Sequence, residues 1–146
     1  MKVTALDLAS VKEGELLAEK AISVSTSRIV ASSIAARDFH PLHHNREYAR
    51  QQGHPDIFLN SLVSGGLVQR YVIDWAGPRA RMTSMATRLG VPQYAEDRLV
   101  LSGRVTARAS DESGWIEVTV TGTNTRGQHL QSVVRLQFET LDAAAS

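Results

Sequence analysis

Along this chain the spacing of hydrophobic residues changes twice. After a polar lead-in over residues 1–19, with room for a short strand or turn, the β-branched residues Ile22, Val24, Ile29 and Val30 predict a strand-like stretch from Lys20 to about Ser32. Ser32 and Ser33 are placed to cap a short helical turn, IAARDF, and Pro41 forbids a regular helix beyond it. Asn45 suits the N-cap of a short helix, REYARQQ, which Gly53 would end. Between Asp56 and Ala76, Phe58, Leu59, Leu62, Val63, Gly66, Leu67, Tyr71, Val72 and Trp75 recur at three- and four-residue intervals. That spacing predicts a helix of about five turns. Asp56 after Pro55 would open it and Gly77-Pro78 would stop it. The period then falls to two: Leu99, Leu101, Gly103, Val105 and Ala107 alternate with polar partners, as do Ile116, Val118 and Val120, and Leu130, Ser132, Val134, Leu136 and Phe138. Four strands are predicted, over residues 81–89, about 95–108, 115–123 and 129–140, with turns at Asp111–Gly114 and Asn124–Gly127. Asp142 to Ser146 reads as a frayed tail.

This order predicts an α+β fold, an antiparallel sheet wrapped around one long central helix, in a single domain spanning 1–146 with its core at about 20–140. A hot-dog fold has this order, although periodicity alone leaves other α+β folds open. Most of the stripe Phe58, Leu62, Leu67 and Tyr71 is assigned to the core. One helix cannot cover such a sheet, so an edge or the far face is expected to meet another subunit. Gly65 and Gly66 each cost the helix roughly 1 kcal/mol relative to Ala, which asks for a close approach by a backbone or a ligand.

Composition narrows the function classes. With 146 residues, 42% hydrophobic and 21% charged, the chain can build one real core. Its net charge of +1 comes from 16 basic and 15 acidic residues mixed along the sequence, so neither nucleic acid nor an anionic membrane is an expected partner. The absence of cysteine removes thiolate chemistry and Cys-based metal sites. No apolar run is long enough for a signal peptide or a bilayer span, and a cytoplasmic location is expected.

Three of the five histidines fall in RDFHPLHHN, residues 37–45, and His54 follows. Asp38 and His43, five residues apart across a proline-containing loop, can converge on one water, one group taking its proton while the other orients it. Imidazole suits this because its unperturbed pKa of about 6.5 lies near neutral pH. A turn capped by Asp38, with His43 on the surface, fits the same spacing. A metal site from His40, His43, His44 and His54 is the third reading; the spacing is not that of helical ligands, HExxH is absent, and no metal is expected. His44 is expected to point away from His43, and His54 and His129 read as ordinary surface or turn residues.

RDFHPLHHNREYARQQG resembles the hydratase motif of MaoC-like enoyl-CoA hydratases, with Asp38, Pro41, His43, Asn45, Tyr48 and Ala49 matching. SGGLVQRY, residues 64–71, is similar to the start of that family's central helix, and VPQYAEDRLVLSGRVT to the strand entering its sheet. The likeness covers residues 25–140 roughly. It is closest to small hot-dog hydratase subunits of bacterial steroid side-chain degradation, through Arg37–His44, Asp56–Asn60, Gly66–Pro78, Arg88–Asp97 and Ser102–Ala107. The resemblance implies hydration of a 2-enoyl-CoA to a 3-hydroxyacyl-CoA, with Asp38 and His43 catalytic and the Gly66 backbone N–H in the oxyanion hole. It also implies loop support from His40 and Asn45, no cofactor, and an acyl-CoA substrate. The implied partner is a second MaoC-like subunit, with or without an OB-type acyl-CoA-binding domain, or otherwise a second copy of the chain. His40 stands where the family usually has Asn. The competing functions are another hot-dog acyl-thioester enzyme, a thioesterase using Asp56 or Asp74 or an acyl dehydratase, and a non-catalytic partner subunit.

Overall fold

Ser25 marks the first departure from the sequence pattern: it closes strand β1 (Leu16–Val24) and opens helix α1 (Thr26–Ala35). A computed structural model describes residues 6–111 and 113–138, so the expected tail at 142–146 and residues 139–140 of the last predicted strand lie outside the described residues. Ile29 and Val30 are therefore helical rather than part of a strand. The cause is capping from two sides. Ser25 Oγ accepts the Arg28 N–H at 3.1 Å, and the distant Glu96 carboxylate accepts the Thr26 N–H at 2.7 Å. A carboxylate at a helix N-terminus also complements its dipole. No window centred on Ile29 contains Glu96.

Helix α2 (Arg46–Gln51) forms where expected, with Asn45 Oδ1 accepting the Tyr48 N–H at 3.0 Å and Gly53 following at φ 86°. The long helix α3 spans Ser61–Ala76 and does not begin at Asp56. Residues 57–59 are extended instead: Phe58 bridges Tyr94, and Leu59 donates to the Gln93 carbonyl at 2.9 Å. The apolar periodicity thus ran across a boundary that Asn60 sets by accepting the Val63 N–H at 2.8 Å.

Strands β2 (Ala80–Leu89), β3 (Asp97–Arg108), β4 (Trp115–Asn124) and β5 (Gly127–Phe138) join β1 in one antiparallel sheet of order β1-β3-β4-β5-β2. This is the hot-dog arrangement. The alternating residues read from the sequence share one face: Leu99, Leu101 and Val105, then Ile116, Val118 and Val120, then Leu130, Val134 and Leu136 are all fully buried. Against them α3 lays Val68, Tyr71, Val72 and Ala76. Gly103 admits the helix closely, since a Cβ there would come within 3.2 Å of the Tyr71 ring. Irregular register on every strand pair bends the sheet around the helix. The edge strand β2 has no buried residue.

Candidate active site

The end of α1 aims the first site residue. Ala36 is the C-cap, Arg37 takes a left-handed conformation at φ 55°, and the Asp38 N–H returns to the Ser33 carbonyl at 2.9 Å. A non-glycine residue in that region costs energy, and here it turns the chain so that Asp38 leaves the helix. His40 then caps a single 3-10 turn, Pro41–His43, its Nδ1 accepting the Leu42 N–H at 3.3 Å. An Asn side-chain oxygen would do the same, so His40 keeps the turn despite departing from the usual motif.

His43 is 8% exposed. Its Nδ1 lies 2.7 Å from the Phe58 carbonyl, an acceptor only, which makes Nδ1 the protonated nitrogen. Nε2 then faces Asp38 Oδ2 at 3.3 Å. The Asp38 carboxylate is held at both oxygens: Oδ1 accepts the His40 N–H at 3.2 Å and Oδ2 accepts the Asn60 side-chain amide at 3.0 Å. The His40 amide, with help from Asn60 and the two imidazoles, holds the Asp38 pKa below its ordinary 3.8 against the opposing effect of burial. A carboxylate and an imidazole nitrogen free to act as a base thus share one small volume.

They line a cavity of about 430 Å³. Leu42, Phe58 and Leu59 form one wall, and residues 89–92, where β2 leaves the sheet, form the other. Gly90 is required there, because a Cβ would fall 2.3 Å from the Gln128 carbonyl oxygen. Ser61 and His129 complete the lining. The chamber is mostly apolar with a few convergent polar groups, the usual form of a small-molecule site.

The structure brings Asp38, His40 and His43 together at this cavity. It does not bring Gly66 there. Gly66 is the sixth residue of α3, beyond the first turn, where a helical N–H is engaged by the carbonyl four residues back. The unengaged donors of α3 lie at its start: Asn60 Oδ1 takes the Val63 N–H and the Asn60 carbonyl takes that of Ser64, which leaves those of Ser61 and Leu62. Asn45 supports the segment from outside the cavity as the α2 cap.

The other histidines are held by hydrogen bonds of their own. His44 Nε2 lies 3.0 Å from the Phe39 carbonyl, and His54 Nδ1 lies 2.9 Å from the Tyr94 hydroxyl. His129 is not a surface residue; it is 3% exposed, with Nδ1 2.7 Å from the Val91 carbonyl and Nε2 2.9 Å from Ser64 Oγ. Burial pushes its pKa below the ordinary 6.5. Among the described residues no three His, Asp or Glu side chains gather as metal ligands. Asp56 pairs with Arg46 at 2.8 Å and Asp74 with Arg70 at 2.7 Å, and neither lines the cavity that holds His43. Two residues that the structure brings to this site were missed in the sequence, Asn60 against Asp38 and His129 in the cavity lining. The Asn-Ser pair at 60–61 is a cap signal that could have found the first. Leu62, assigned to the core, is 69% exposed, and Phe58 faces the cavity.

No family model matches the chain. It is 47% identical, over 125 residues, to the 3-oxo-4,17-pregnadiene-20-carboxyl-CoA hydratase beta subunit of Mycobacterium tuberculosis, covering 86% of this chain and 95% of that one. The crystal structure of the ChsH1-ChsH2 complex from Mycobacterium tuberculosis contains a chain with TM-score 0.83 and 45% identity, covering 88% of this chain and 98% of that one. The (R)-hydratase of A. caviae involved in PHA biosynthesis shares the fold at TM-score 0.81 with 15% identity, over 89% of this chain and 98% of that one. The motif around Asp38 and His43, the five-stranded sheet wrapped on α3 and this extended identity agree: the chain belongs to the MaoC-like enoyl-CoA hydratases, alongside the steroid-type hydratase beta subunit.

Proposed function

We propose that this protein is one subunit of a heteromeric hydratase that adds water to the double bond of a 2-enoyl-CoA carrying a steroid-type acyl group. The observation that carries this reading is the 3.3 Å approach of His43 Nε2 to Asp38 Oδ2 at the wall of an apolar cavity. With Nδ1–H committed to the Phe58 carbonyl, Nε2 of His43 and the Asp38 carboxylate face the same small volume. A water satisfies both by donating one O–H to each, and its lone pair is then free to meet an acyl chain.

As the water oxygen bonds to the β carbon, one of its protons passes to the pair, and the double-bond electrons move toward the thioester oxygen. The pair then returns a proton to the α carbon, completing the 3-hydroxyacyl-CoA. The Ser61 N–H at the start of α3, where the helix dipole is positive, is the donor we assign to the developing enolate oxygen in place of Gly66. Donors of this kind contribute about 2.7–4 kcal/mol.

The partner reading rests on apolar surface left open beside the cavity. Leu62 on α3 is 69% exposed, Phe39 66%, Leu89 45% and Met85 37%. Gly66 is exposed, with nothing within 4 Å of where a Cβ would stand. We assign this surface to a second hot-dog subunit, which would extend the chamber to the length of a polycyclic acyl group. CoA thioesters are soluble metabolites, which supports a cytoplasmic site of action; no helix among the described residues is long and apolar enough to cross a membrane.

The test is hydration of 2-enoyl-CoAs, followed by loss of the conjugated-thioester absorbance, with the chain alone and co-expressed with its genomic neighbours. Water addition to steroid-type substrates by the co-expressed pair is expected. Release of free CoA with no hydrated product would point instead to a thioesterase.

A further inference from the structure

Asn60 makes more directed contacts than an ordinary helix cap. The residue is 2% exposed. Its Oδ1 accepts the Val63 N–H at 2.8 Å, which fixes the amide orientation and leaves Nδ2 to donate to Asp38 Oδ2 at 3.0 Å. Turning the amide over would set donor against donor at Val63 and acceptor against acceptor at Asp38. The oxygen it contacts is the same one that faces His43 Nε2. The backbone carbonyl of Asn60 receives the Ser64 N–H at 3.1 Å, with Ser64 Oγ 3.2 Å away. Ser64 Oγ also meets His129 Nε2 at 2.9 Å, and His129 is tied to the Val91 carbonyl. A buried chain of contacts therefore runs from the β5 side of the cavity through α3 to the Asp38 carboxylate.

We propose that Asn60 is a positioning residue for hydration: one side chain starts α3 and fixes the Asp38 oxygen that shares the water with His43, so that carboxylate and first-turn amides keep one geometry. The inference rests on the hydratase reading above. Among the described residues the Asp38 carboxylate accepts one other hydrogen bond, from the His40 N–H at 3.2 Å, on the other oxygen. Without the Asn60 amide the carboxylate can rotate about its own bond and lose its register with His43. The titratable groups facing Asp38 are His43 and His40.

Capping and positioning can be separated, because Ser and Asp cap helices about as well as Asn but neither supplies an amide donor. In the full chain with its co-expressed partner, Asn60→Ser is expected to keep its melting temperature within a few degrees and its KM within about 3-fold, while kcat falls at least about 10-fold, a part of what acid/base catalysis supplies. Asn60→Asp places a second carboxylate against Asp38, so the acidic limb of kcat should move to higher pH. The Asp38 carboxyl resonance, followed by NMR without substrate, should titrate at higher pH than in the wild type. The inference is overturned if both variants keep wild-type kcat and pH limb, or if Asn60→Ser loses stability as fully as Asn60→Ala. An Asp38 resonance that shifts in Asn60→Asp while the wild-type complex hydrates no 2-enoyl-CoA would uphold the contact and sink the hydratase reading instead. An unmoved resonance, with Asp38→Asn inactive, would do the reverse.

Discussion

The sheet centre and the segment from Ala36 to Asn60 are held by different forces. In β3, β4 and β5, side chains such as Leu101, Val118 and Leu136 are buried because they are apolar and point the same way, and many neighbours share the work. In the site segment the polar side chains at the cavity and the turn are held by directed partners: His43 with Phe58, His44 with Phe39, His40 with Leu42, and Asn60 with both Asp38 and Val63. Burial tolerates small displacements, whereas a hydrogen bond weakens steeply with angle and distance. The sheet and α3 therefore provide a rigid wall, and the segment carries the aimed groups.

Damage to the two regions should separate activity from stability, and the largest effect belongs to the aimed pair. Asp38→Asn and His43→Ala should each lower turnover by about 100- to 10,000-fold, with the melting temperature shifted by only a few degrees. The double variant should be little worse than the worse single one, since both groups act on one water. Near-normal turnover in Asp38→Asn would reduce the pair to a structural turn.

Leu101→Ala reverses the pattern. Leu101 is fully buried between β1 and β4, and its truncation should cost about 2–5 kcal/mol in chemical denaturation. The fraction that stays folded should keep its turnover. A selective loss of turnover instead would place the sheet centre inside the chemistry.

A smaller effect is expected from His129, which belongs to both regions. Its pKa is depressed in the folded state, so above the ordinary 6.5 the imidazole is neutral in both states and the contribution is complete. As pH falls below 6.5 the unfolded chain binds a proton that the folded protein refuses, and stability declines until the lower folded pKa is reached. The slope approaches about 1.4 kcal/mol per pH unit for one such group. His129→Asn, which keeps a donor for the Val91 carbonyl, should flatten the melting-temperature profile below about pH 6.5 relative to wild type. Parallel profiles would mean that His129 takes its proton while folded.

The smallest effects belong at the rim of the segment. Asn45→Ala should cost about 1 kcal/mol through the lost α2 cap. His44→Ala should stay within several-fold of wild-type turnover, and exhaustive chelation should leave activity unchanged. A loss at His44 equal to that at His43, together with chelator sensitivity, would revive a metal role for the histidine cluster.

Period-two alternation identified the sheet correctly because one face of each strand is buried along its length. Asp38 and His43 were legible because their motif lies within one short segment, and Asn45 because a cap acts on its own helix. Tertiary structure decided the rest. It took Ile29 and Val30 into a helix through the Glu96 carboxylate, dozens of residues away. It drew residues 57–59 into pairing with Gln93 and Tyr94, which moved the start of α3 to Ser61 and left Gly66 beyond its first turn. It also buried His129 against Ser64, across a separation no local pattern registers. Local spacing reports what a residue does for its own element; which distant donor or acceptor it meets is settled only when helix and sheet close on each other.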